Sequence, residues 1–319
     1  MDGHQKNFDY FVGHIVRNPF ESVDSKRRYN FDFRTYIPTD PPGVHVVKNM
    51  AHYEGLLLSI HFHTDHWSTV EGSAVMVAPG IALAATHVIE PLKPHLMASE
   101  LRVLCVGLTS SGPRIWLVKH VTPVSNTDLT LLSLEYASAI PEDHRFVQAA
   151  VTTRLPKIGE PVMIVGIRAS DQYVTMDEDK AFAVKDNKIE YGAEVRVGVG
   201  EVTEHRLDGY GSRLPGPLIE VACSTAGGLS GGPAFDKDGR VLGILAVSFD
   251  DPDGRGPSHV SLLWPALAQP ITPAFLPEGL PASIKLLEFE YCNIDHREFV
   301  SFSMIAGTDT IEVRYDDQT

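Results

Sequence analysis

The sequence predicts an all-β fold, either a barrel or a sandwich, and three observations lead to that prediction. The chain of 319 residues contains many short apolar or alternating runs that are rich in valine and isoleucine. Glycine, proline and aspartate separate these runs, as turns between strands require. The chain shows no series of long segments with an apolar period of 3.6 residues, which an architecture of alternating strands and helices would need. Many short strands with frequent turns are typical of barrels and sandwiches.

The individual strands are predicted from runs that follow one another along the chain. From residue 56 to residue 134 the runs are LLLSIHF, GSAVMVAPG, IALAATHVI, LRVLCVGL, RIWLVKHV and TLLSL. From residue 160 onward they are EPVMIVGI, PLIEVAC, RVLGILAVSF and TIEVRYDD. The stretch HTDHWSTVE is predicted to be the loop between the first two strands.

Three regions are predicted from the distribution of these runs. Residues 1–50 form a charged N-terminal extension with one alternating stretch, YNFDFRTY. Residues 51–268 carry the dense strand pattern of one large domain. The prolines of LLWPALAQPITPAFLPEGLP disfavour regular structure. Residues 269–319 then form a β-rich C-terminal extension, which we expect to pack onto the large domain as an added sheet.

The composition narrows the classes of partner and compartment. A formal net charge of -14 at pH 7 argues against binding to nucleic acid or to an anionic membrane through bulk electrostatics. The stretch MDGHQKNFDYFVGHIVRNPF lacks the apolar run of a signal peptide. Cys105, Cys223 and Cys292 are widely spaced and odd in number, which predicts neither a disulfide framework nor a zinc knuckle. We therefore expect a cytoplasmic protein with no nucleic-acid or membrane partner.

The stretch STAGGLSGGPAFDKDGRVLGILAV, residues 224–247, has the composition of a nucleophile loop. Its glycines let the backbone turn, so that the N–H groups of Gly228 and Ser230 can converge as an oxyanion hole. Small neighbours leave Ser230 Oγ accessible to a substrate carbonyl, and DKDG supplies a turn between two strands. GLSGG also fits the GxSxG motif of α/β-hydrolases, but that motif requires a following helix, and here Gly-Gly-Pro and a hairpin follow.

Two further segments supply the base and the orienting acid that a nucleophilic serine needs. IALAATHVI places His87 at the end of a predicted strand, and NTDLTLLSL places Asp128 at the start of another. Taken singly, His87 could be structural, Asp128 could cap a turn and Ser230 could be a turn serine. Their joint occurrence, in the order His, Asp, Ser, favours a catalytic triad.

Four segments carry a resemblance to the trypsin-like serine proteases, in particular to the bacterial, HtrA-like branch. They are GSAVMVAPGIALAATHV, DLTLLSL, PKIGEPVMIVGI and IEVACSTAGGLSGGPAFDKDGRVLGILAV. The resemblance implies two six-stranded antiparallel β-barrels of the chymotrypsin type, with His87 and Asp128 in the first barrel and Ser230 in the second. It implies a serine endopeptidase that acts on a protein or peptide through an acyl-enzyme and needs no cofactor or metal. Regulation by an activating protein partner is compatible with the flexible Gly-Gly pair before Leu229.

The resemblance also places the primary substrate pocket and shows where the chain departs from secreted relatives. Leu229 stands where those relatives have an aspartate that pairs with a newly cut amino terminus, so activation by that ion pair is not expected. The pocket floor would be Ser224 and its wall Ala246, Val247 and Ser248. Because no acid lies at the floor, we expect an uncharged, small to medium, apolar residue to be preferred over arginine or lysine. The residues after 268 are too few for the PDZ domain that HtrA proteins append.

Two alternatives of other classes remain open. The first is an interaction module with a latent or inactive protease site, for which a loop between residues 168 and 199, rich in charged residues, could block the site. The second is a zinc hydrolase, because HFHTDH at residues 61–66 resembles the HxHxDH signature of the metallo-β-lactamase superfamily. That superfamily also needs a strand-rich half upstream and a further histidine ligand downstream. The mostly polar first fifty residues do not offer that half, and His87 has the assignment given above.

Overall fold

The computed structural model of the chain consists almost wholly of β-strands joined by turns. It describes residues 13–16, 28–29, 44–47, 54–63, 68–94, 102–109, 112–137, 146–169, 182–185, 188–191, 193–225, 227–249, 256–272, 284–305 and 311–316. The helices α1 (Thr86–Ile89) and α2 (Trp264–Leu267) are each a single turn. Short 3₁₀ turns are formed by Glu90–Leu92, Gly211–Arg213, Leu286–Glu288 and Arg297–Phe299. None of the helices in these ranges has the length and hydropathy needed to span a membrane.

The strands are numbered in chain order. The first three are β1 (Gly13–Val16), β2 (Arg28–Tyr29) and β3 (Val44–Val47). The next six are β4 (Leu57–His63), β5 (Ser68–Ala78), β6 (Ile81–Ala85), β7 (Arg102–Thr109), β8 (Gly112–Pro123) and β9 (Leu129–Tyr136). The middle of the chain forms β10 (Phe146–Ala149), β11 (Val151–Thr152), β12 (Pro161–Ala169), β13 (Phe182–Lys185), β14 (Lys188–Tyr191), β15 (Ala193–Arg206) and β16 (Leu218–Ala222). The last eight are β17 (Pro233–Phe235), β18 (Val241–Ser248), β19 (Pro257–Leu262), β20 (Pro270–Ile271), β21 (Ile284–Lys285), β22 (Ile294–Asp295), β23 (Val300–Met304) and β24 (Ile311–Tyr315).

The first barrel is a closed sheet of six strands in the order β4-β5-β6-β9-β8-β7. All of its pairings are antiparallel. Every residue of β6 is buried, because this strand fills the barrel with one face and packs against β18 of the second barrel with the other. Burial on both faces explains why the run IALAA is continuously apolar instead of alternating.

The second barrel consists of six antiparallel strands in the order β17-β12-β15-β16-β19-β18, and the pairing of β17 with β18 closes it. Val162 and Ile164 of β12 lie in one core cluster, while Met163, Val165 and Ile167 lie in the large cluster shared with the first barrel. Successive side chains of a strand point to opposite faces, so β12 is buried on both sides. The prediction of two six-stranded antiparallel barrels is confirmed.

Three of the strands outside the barrels, β3, β11 and β22, join the sheet of the second barrel. β3 pairs with β15, and β22 pairs in parallel with β11, which itself pairs with β18. β23 and β24 form a separate two-stranded sheet, and Tyr315 stacks on Trp264 with ring centroids 4.6 Å apart. The expected added sheet is therefore one parallel strand plus a hairpin held by an aromatic stack. The boundaries at residues 50 and 268 stay predictions, and most of YNFDFRTY lies outside the described residues.

The stretch between residues 168 and 199 contains more regular structure than the predicted loop. β12 extends to Ala169, β13 and β14 pair as a hairpin, and β15 begins at Ala193. The alternating runs FAVK and KIEY favour strands because alternate side chains share a face. Residues 170–181 lie outside the described residues.

The three cysteines give the first testable expectation. Cys105, Cys223 and Cys292 are buried thiols that form no disulfide, and burial raises the pKa of each to about 12. Because the thiolate is the reactive form, we expect none of them to react with a thiol reagent at pH 8 in the native protein. A colorimetric thiol assay should count three groups only after denaturation. Reaction of one thiol in the folded protein at a rate near that of free cysteine would contradict this expectation.

Candidate active site

His87 and Asp128 are brought together by the pairing of the strands that carry them. His87 lies in α1, directly after β6, and Asp128 directly precedes β9; Ala85 of β6 is paired with Leu129 of β9. His87 Nδ1 lies 2.7 Å from Asp128 Oδ2, and the backbone N–H of His87 donates to Asp128 Oδ1 at 3.0 Å. The carboxylate is mostly buried, with 11% of its side chain exposed, whereas His87 is 48% exposed. One edge of the imidazole is thus held while the ring stays accessible.

Thr86 strengthens this junction from the side of the histidine. Its backbone N–H donates to the carbonyl of Asp128 at 3.0 Å, and its Oγ1 donates to the carbonyl of Leu129 at 2.7 Å. Oγ1 also lies 2.7 Å from Thr130 Oγ1. The hydroxyl of Thr86 therefore adds hydrogen bonds between the two segments that carry His87 and Asp128.

Ser230 lies at the junction of the two barrels, close to the segment that carries His87. Its carbonyl accepts a hydrogen bond of 2.8 Å from the N–H of Ser73 in β5. A Cβ placed on Gly72 would lie 2.9 Å from Ser230 O and 2.9 Å from Val88 Cγ1, so Ser230 and α1 approach the same point of β5. Within the described residues no hydrogen bond joins Ser230 Oγ to His87 in this conformation. Such bonds often tighten only when substrate binds.

The loop around Ser230 leaves the two predicted oxyanion donors available. Gly228 has φ +90 and Gly231 has φ +84, a backbone region in which glycine is favoured. The N–H of Gly231 donates to the carbonyl of Leu245 at 3.0 Å, and that of Gly232 to the carbonyl of Leu229 at 3.0 Å. Among the described residues, the N–H groups of Gly228 and Ser230 donate to no backbone carbonyl. Gly228 is exposed and Ser230 partly exposed, so both N–H groups belong to a loop at the surface.

The residues predicted to form the substrate pocket come from two segments that the structure ties together. Ser248 Oγ accepts the N–H of Thr225 at 2.7 Å, and Ser224 Oγ–H donates to the carbonyl of Phe249 at 3.4 Å. Ala246 and Val247 instead belong to a small apolar cluster outside the second barrel, formed with Leu214 and Leu218. Ser224 and Ser248 thus lie in segments that are hydrogen-bonded to each other.

His259 was not among the predicted residues, yet it lies behind this region. It is 2% exposed, it pairs with Val247 across the sheet, and its ring lies 5.6 Å from that of Phe249. Neither ring nitrogen has a hydrogen-bond partner in the described part of the chain, although Glu220 Oε2 lies 3.6 Å from Nε2. A single histidine in the run PSHVSL carries no local signal that would have revealed this position.

His259 predicts how stability depends on pH. Burial lowers the pKa of His259 below its ordinary value of 6.5; Arg206 adds to the lowering, and the carboxylates of Glu220 and Glu204 oppose it. This histidine therefore binds a proton more readily in the unfolded chain than in the folded protein. The stability that neutral His259 contributes is present above pH 6.5 and is lost as the pH falls through the lowered pKa.

We expect His259→Gln to flatten the loss of stability between pH 7.5 and pH 5, measured as the free energy of unfolding in urea. The exposed His120, changed to glutamine, is the matched control and should leave that slope unchanged. An unaltered slope in the His259 variant would contradict the expectation.

A cavity of about 700 Å³ lies beside the turn that leads to Asp128. The turn of Ser125, Asn126 and Thr127 forms one wall, and the C-terminal hairpin forms another. Thr127 Oγ1 donates to the carbonyl of Val124 at 2.9 Å and accepts the N–H of Leu129 at 3.0 Å, which shapes the turn next to Asp128. The remaining lining residues are Leu207, Asp208, Pro217, Trp264, Pro265, Gln269, Ile311, Val313 and Tyr315.

The structure describes only part of the HFHTDH run. His61 is a fully buried residue of β4, and its Nε2 lies 2.6 Å from Ser59 Oγ. The side chains of His63, Asp65 and His66 lie outside the described residues. Within the described ranges, no group of three or more histidine, cysteine, aspartate or glutamate side chains is arranged to hold a metal ion.

Two closed six-stranded antiparallel barrels that meet beside His87, Asp128 and Ser230 define the class of chymotrypsin-like proteins. The family described as "Trypsin-like peptidase domain" matches residues 72–244, more than half of the chain. The chain therefore belongs to the trypsin-like peptidase domain family, and the predicted family is confirmed.

Solved structures similar to the chain share little sequence with it. One is the crystal structure of Deg5, with 15% sequence identity, a TM-score of 0.45 and coverage of 66% of this chain and 84% of that chain. Another is the apo form of the MamO protease domain from Magnetospirillum magneticum, with 16% identity, a TM-score of 0.43 and coverage of 66% of this chain and 92% of that chain. A search of curated proteins found no match.

Proposed function

We propose that the protein is a serine endopeptidase in which Ser230 is the nucleophile, His87 the general base and acid, and Asp128 the residue that orients His87. The observation that carries the proposal is that His87 and Asp128 are joined by two hydrogen bonds beside the Ser230 loop. Asp128 Oδ2 accepts a hydrogen bond from His87 Nδ1 and so favours the tautomer with its proton on Nδ1. This tautomer leaves Nε2 unprotonated, so that it can act as the base. Membership of a peptidase family supports the same reaction class.

The reaction follows from these positions. Ser230 Oγ forms a bond to the substrate carbonyl carbon, its proton passes to His87 Nε2, and the carbonyl electron pair moves onto the oxygen. The N–H groups of Gly228 and Ser230 would stabilise that oxyanion. Collapse expels the amine, which takes the proton from His87, and leaves an acyl-enzyme. Water, deprotonated by His87, then forms a bond to the ester carbonyl carbon. The bond from that carbon to Ser230 Oγ breaks, Oγ takes the proton back from His87, and the acid half of the substrate is released. No cofactor enters any step.

The substrate is proposed to be a protein or peptide with an uncharged, small to medium, apolar residue before the cleaved bond. Ser224, Ala246, Val247 and Ser248 carry no charge, which supports this preference over arginine or lysine. A peptide library in which arginine or lysine dominates at that position would contradict it. A cytoplasmic location, with no nucleic-acid or membrane partner, is part of the proposal, and the three reduced cysteines support it.

The test is the intact mass of the protein after treatment with a fluorophosphonate, which reacts with activated serines. We expect a single adduct on the wild-type protein and none on Ser230→Ala. The exposed residue Ser303 has a hydroxyl 3.1 Å from Glu312 on the C-terminal hairpin, so Ser303→Ala is the matched control and should label like the wild type. An adduct that persists in Ser230→Ala would assign the reactive group elsewhere.

A second candidate is a latent protease that needs an activating protein partner, or an interaction module without activity. The observation that favours it is that Ser230 Oγ and His87 are not hydrogen-bonded in this conformation. Under this alternative, the folded wild-type protein gives no fluorophosphonate adduct by itself and gains one when its partner is added. A zinc hydrolase that uses HFHTDH predicts instead one zinc per chain and hydrolysis that chelators abolish.

A further inference from the structure

Ser73 of β5 bonds to both parts of the second barrel that surround the nucleophile. Its backbone N–H donates to the carbonyl of Ser230 at 2.8 Å. Its side chain accepts the N–H of Ile167 at 2.7 Å, and Oγ lies 3.5 Å from the carbonyl of Ile167, to which the hydroxyl donates. Ser73 and Ile167 are both fully buried. One residue of the first barrel thus holds the Ser230 loop with its main chain and the end of β12 with its side chain.

The end of β12 supports the two residues that precede Ser230. A Cβ placed on Gly166 would lie 2.7 Å from Cβ of Leu229, so the backbone of β12 is in direct contact with that side chain. A Cβ placed on Gly228 would lie 3.4 Å from Cγ of Arg168, so the Gly228 backbone rests on the stem of Arg168. The residues on either side of Ile167 therefore carry Leu229 and Gly228.

These contacts form a closed circuit of three chain segments, which are Ser73 of β5, residues 166–168 of β12 and the loop of residues 228–230. It runs from the Ser73 side chain to Ile167, from there through Gly166 and Arg168 to the loop of residues 228–230, and back to the Ser73 N–H. A closed circuit restrains every member, because no segment can shift without breaking a bond or creating a clash. The segment it restrains most directly is the one that contains the N–H groups of Gly228 and Ser230.

We infer that Ser73 is a positioning residue whose hydroxyl fixes the end of β12 and thereby sets the geometry of the oxyanion loop. The inference rests on the proposed function of Ser230. Without the hydroxyl, the buried N–H of Ile167 has lost its partner, and β12 is no longer tied to the first barrel at this point. The oxyanion donors act only when they are held where charge develops, so the loss falls on the transition state. Ser224 and Ser248 are bonded to neighbours within the second barrel, so ground-state binding is preserved.

The test compares Ser73→Ala with Ser59→Ala on a peptide substrate. Ser59 is also fully buried, and its hydroxyl donates to the carbonyl of Val106 at 3.1 Å within the first barrel, which makes it the matched control. We expect Ser73→Ala to lower kcat about 10- to 100-fold with KM within about twofold, and to slow fluorophosphonate labelling of Ser230 equally. Ser59→Ala should lower stability without this loss of kcat. If Ser73→Ala does not fold, Ser73→Cys takes its place, because it keeps the side-chain volume with a weak acceptor. Its kcat should lie between the wild-type value and the loss of about 100-fold at the upper end of the range expected for Ser73→Ala.

The outcomes separate this inference from the proposed function. A wild-type kcat in Ser73→Ala, with Ser230 still labelled, would overturn the role of Ser73 and leave the proposed nucleophile intact. If the wild-type protein is not labelled, the proposed function fails, and deuterium exchange of the segment 227–232 decides the positioning role. Faster exchange in Ser73→Ala than in Ser59→Ala supports the circuit, and equal exchange overturns it.

Discussion

Replacing Asp128 with asparagine is expected to lower kcat by about four orders of magnitude while the protein keeps its fold. The amide oxygen can still accept the N–H of His87, which Asp128 Oδ1 accepts at 3.0 Å. The amide nitrogen, however, would stand where Oδ2 now lies 2.7 Å from His87 Nδ1, and it donates where an acceptor is needed. It would favour the tautomer with the proton on Nε2, which cannot take the proton of Ser230. The measurement is kcat on an internally quenched peptide.

The matched control for this prediction is Glu298→Gln, which removes the same charge from a side chain that is 70% exposed in the 3₁₀ turn Arg297–Phe299. We expect kcat of the control to stay within about twofold of the wild type, because an exposed charge is screened. Equal kcat for Asp128→Asn and the wild type would show that His87 and Asp128 do not act as the proposed pair. A loss in both variants would point to net charge as the cause.

The second large effect is a loss of stability when Arg154, which joins two buried carboxylates, is replaced. Its guanidinium donates to both oxygens of Glu160, at 2.8 Å from Nη1 to Oε2, and to Asp236 Oδ2 at 3.1 Å. Burial raises the pKa of Asp236 although Arg154 opposes this, whereas for Glu160 the hydrogen bonds and charge of Arg154 outweigh burial and lower the pKa. Arg154→Met would leave both carboxylates without their counter-ion. We expect it to lower the free energy of unfolding by about 3–5 kcal/mol.

The control for Arg154 is Lys119→Met, which breaks the exposed pair of Lys119 and Glu135 with its 2.8 Å contact. Exposed pairs contribute about 0–1 kcal/mol, so this variant should unfold in urea almost like the wild type. The pH dependence gives a second check. The stability that ionised Glu160 contributes is present above its ordinary pKa of 4.5 and is lost as the pH falls through the lowered pKa. The difference in free energy of unfolding between Arg154→Met and the wild type should therefore shrink at acid pH. A difference that stays constant would contradict the role of Arg154.

Local patterns in the sequence were sufficient to predict the six strands of the first barrel and to single out His87, Asp128 and Ser230 as candidates. Continuous apolar runs such as IALAA and VMIVGI mark strands that are buried on both faces, and the structure places them between the barrels. The stretch GGLSGG predicts a tight turn, and Gly228 and Gly231 have the positive φ that such a turn uses. These features could be predicted because each depends on neighbouring residues and their conformational preferences.

The contacts across the barrel junction could not be predicted in this way. Ser73 and Ile167 are 94 positions apart, and each looks like an ordinary strand residue in its own segment. His259 likewise meets Glu220 and Phe249 only because β19 lies between β16 and β18. Strand order and register determine such contacts, and they cannot be inferred from the types of the residues.

The sequence by itself therefore determined an all-β chain and the candidates His87, Asp128 and Ser230, because short-range patterns specify strands, turns and reactive side chains. The two barrels and the family followed from its resemblance to the trypsin-like serine proteases. Only the tertiary structure decided that Asp128 bonds His87 twice, that Ser73 ties the Ser230 loop to β12 and that Arg154 bridges two buried carboxylates. The physical reason is that these are long-range contacts of small or common residues. Their strength depends on burial and exact distance, which exist only after the chain has packed.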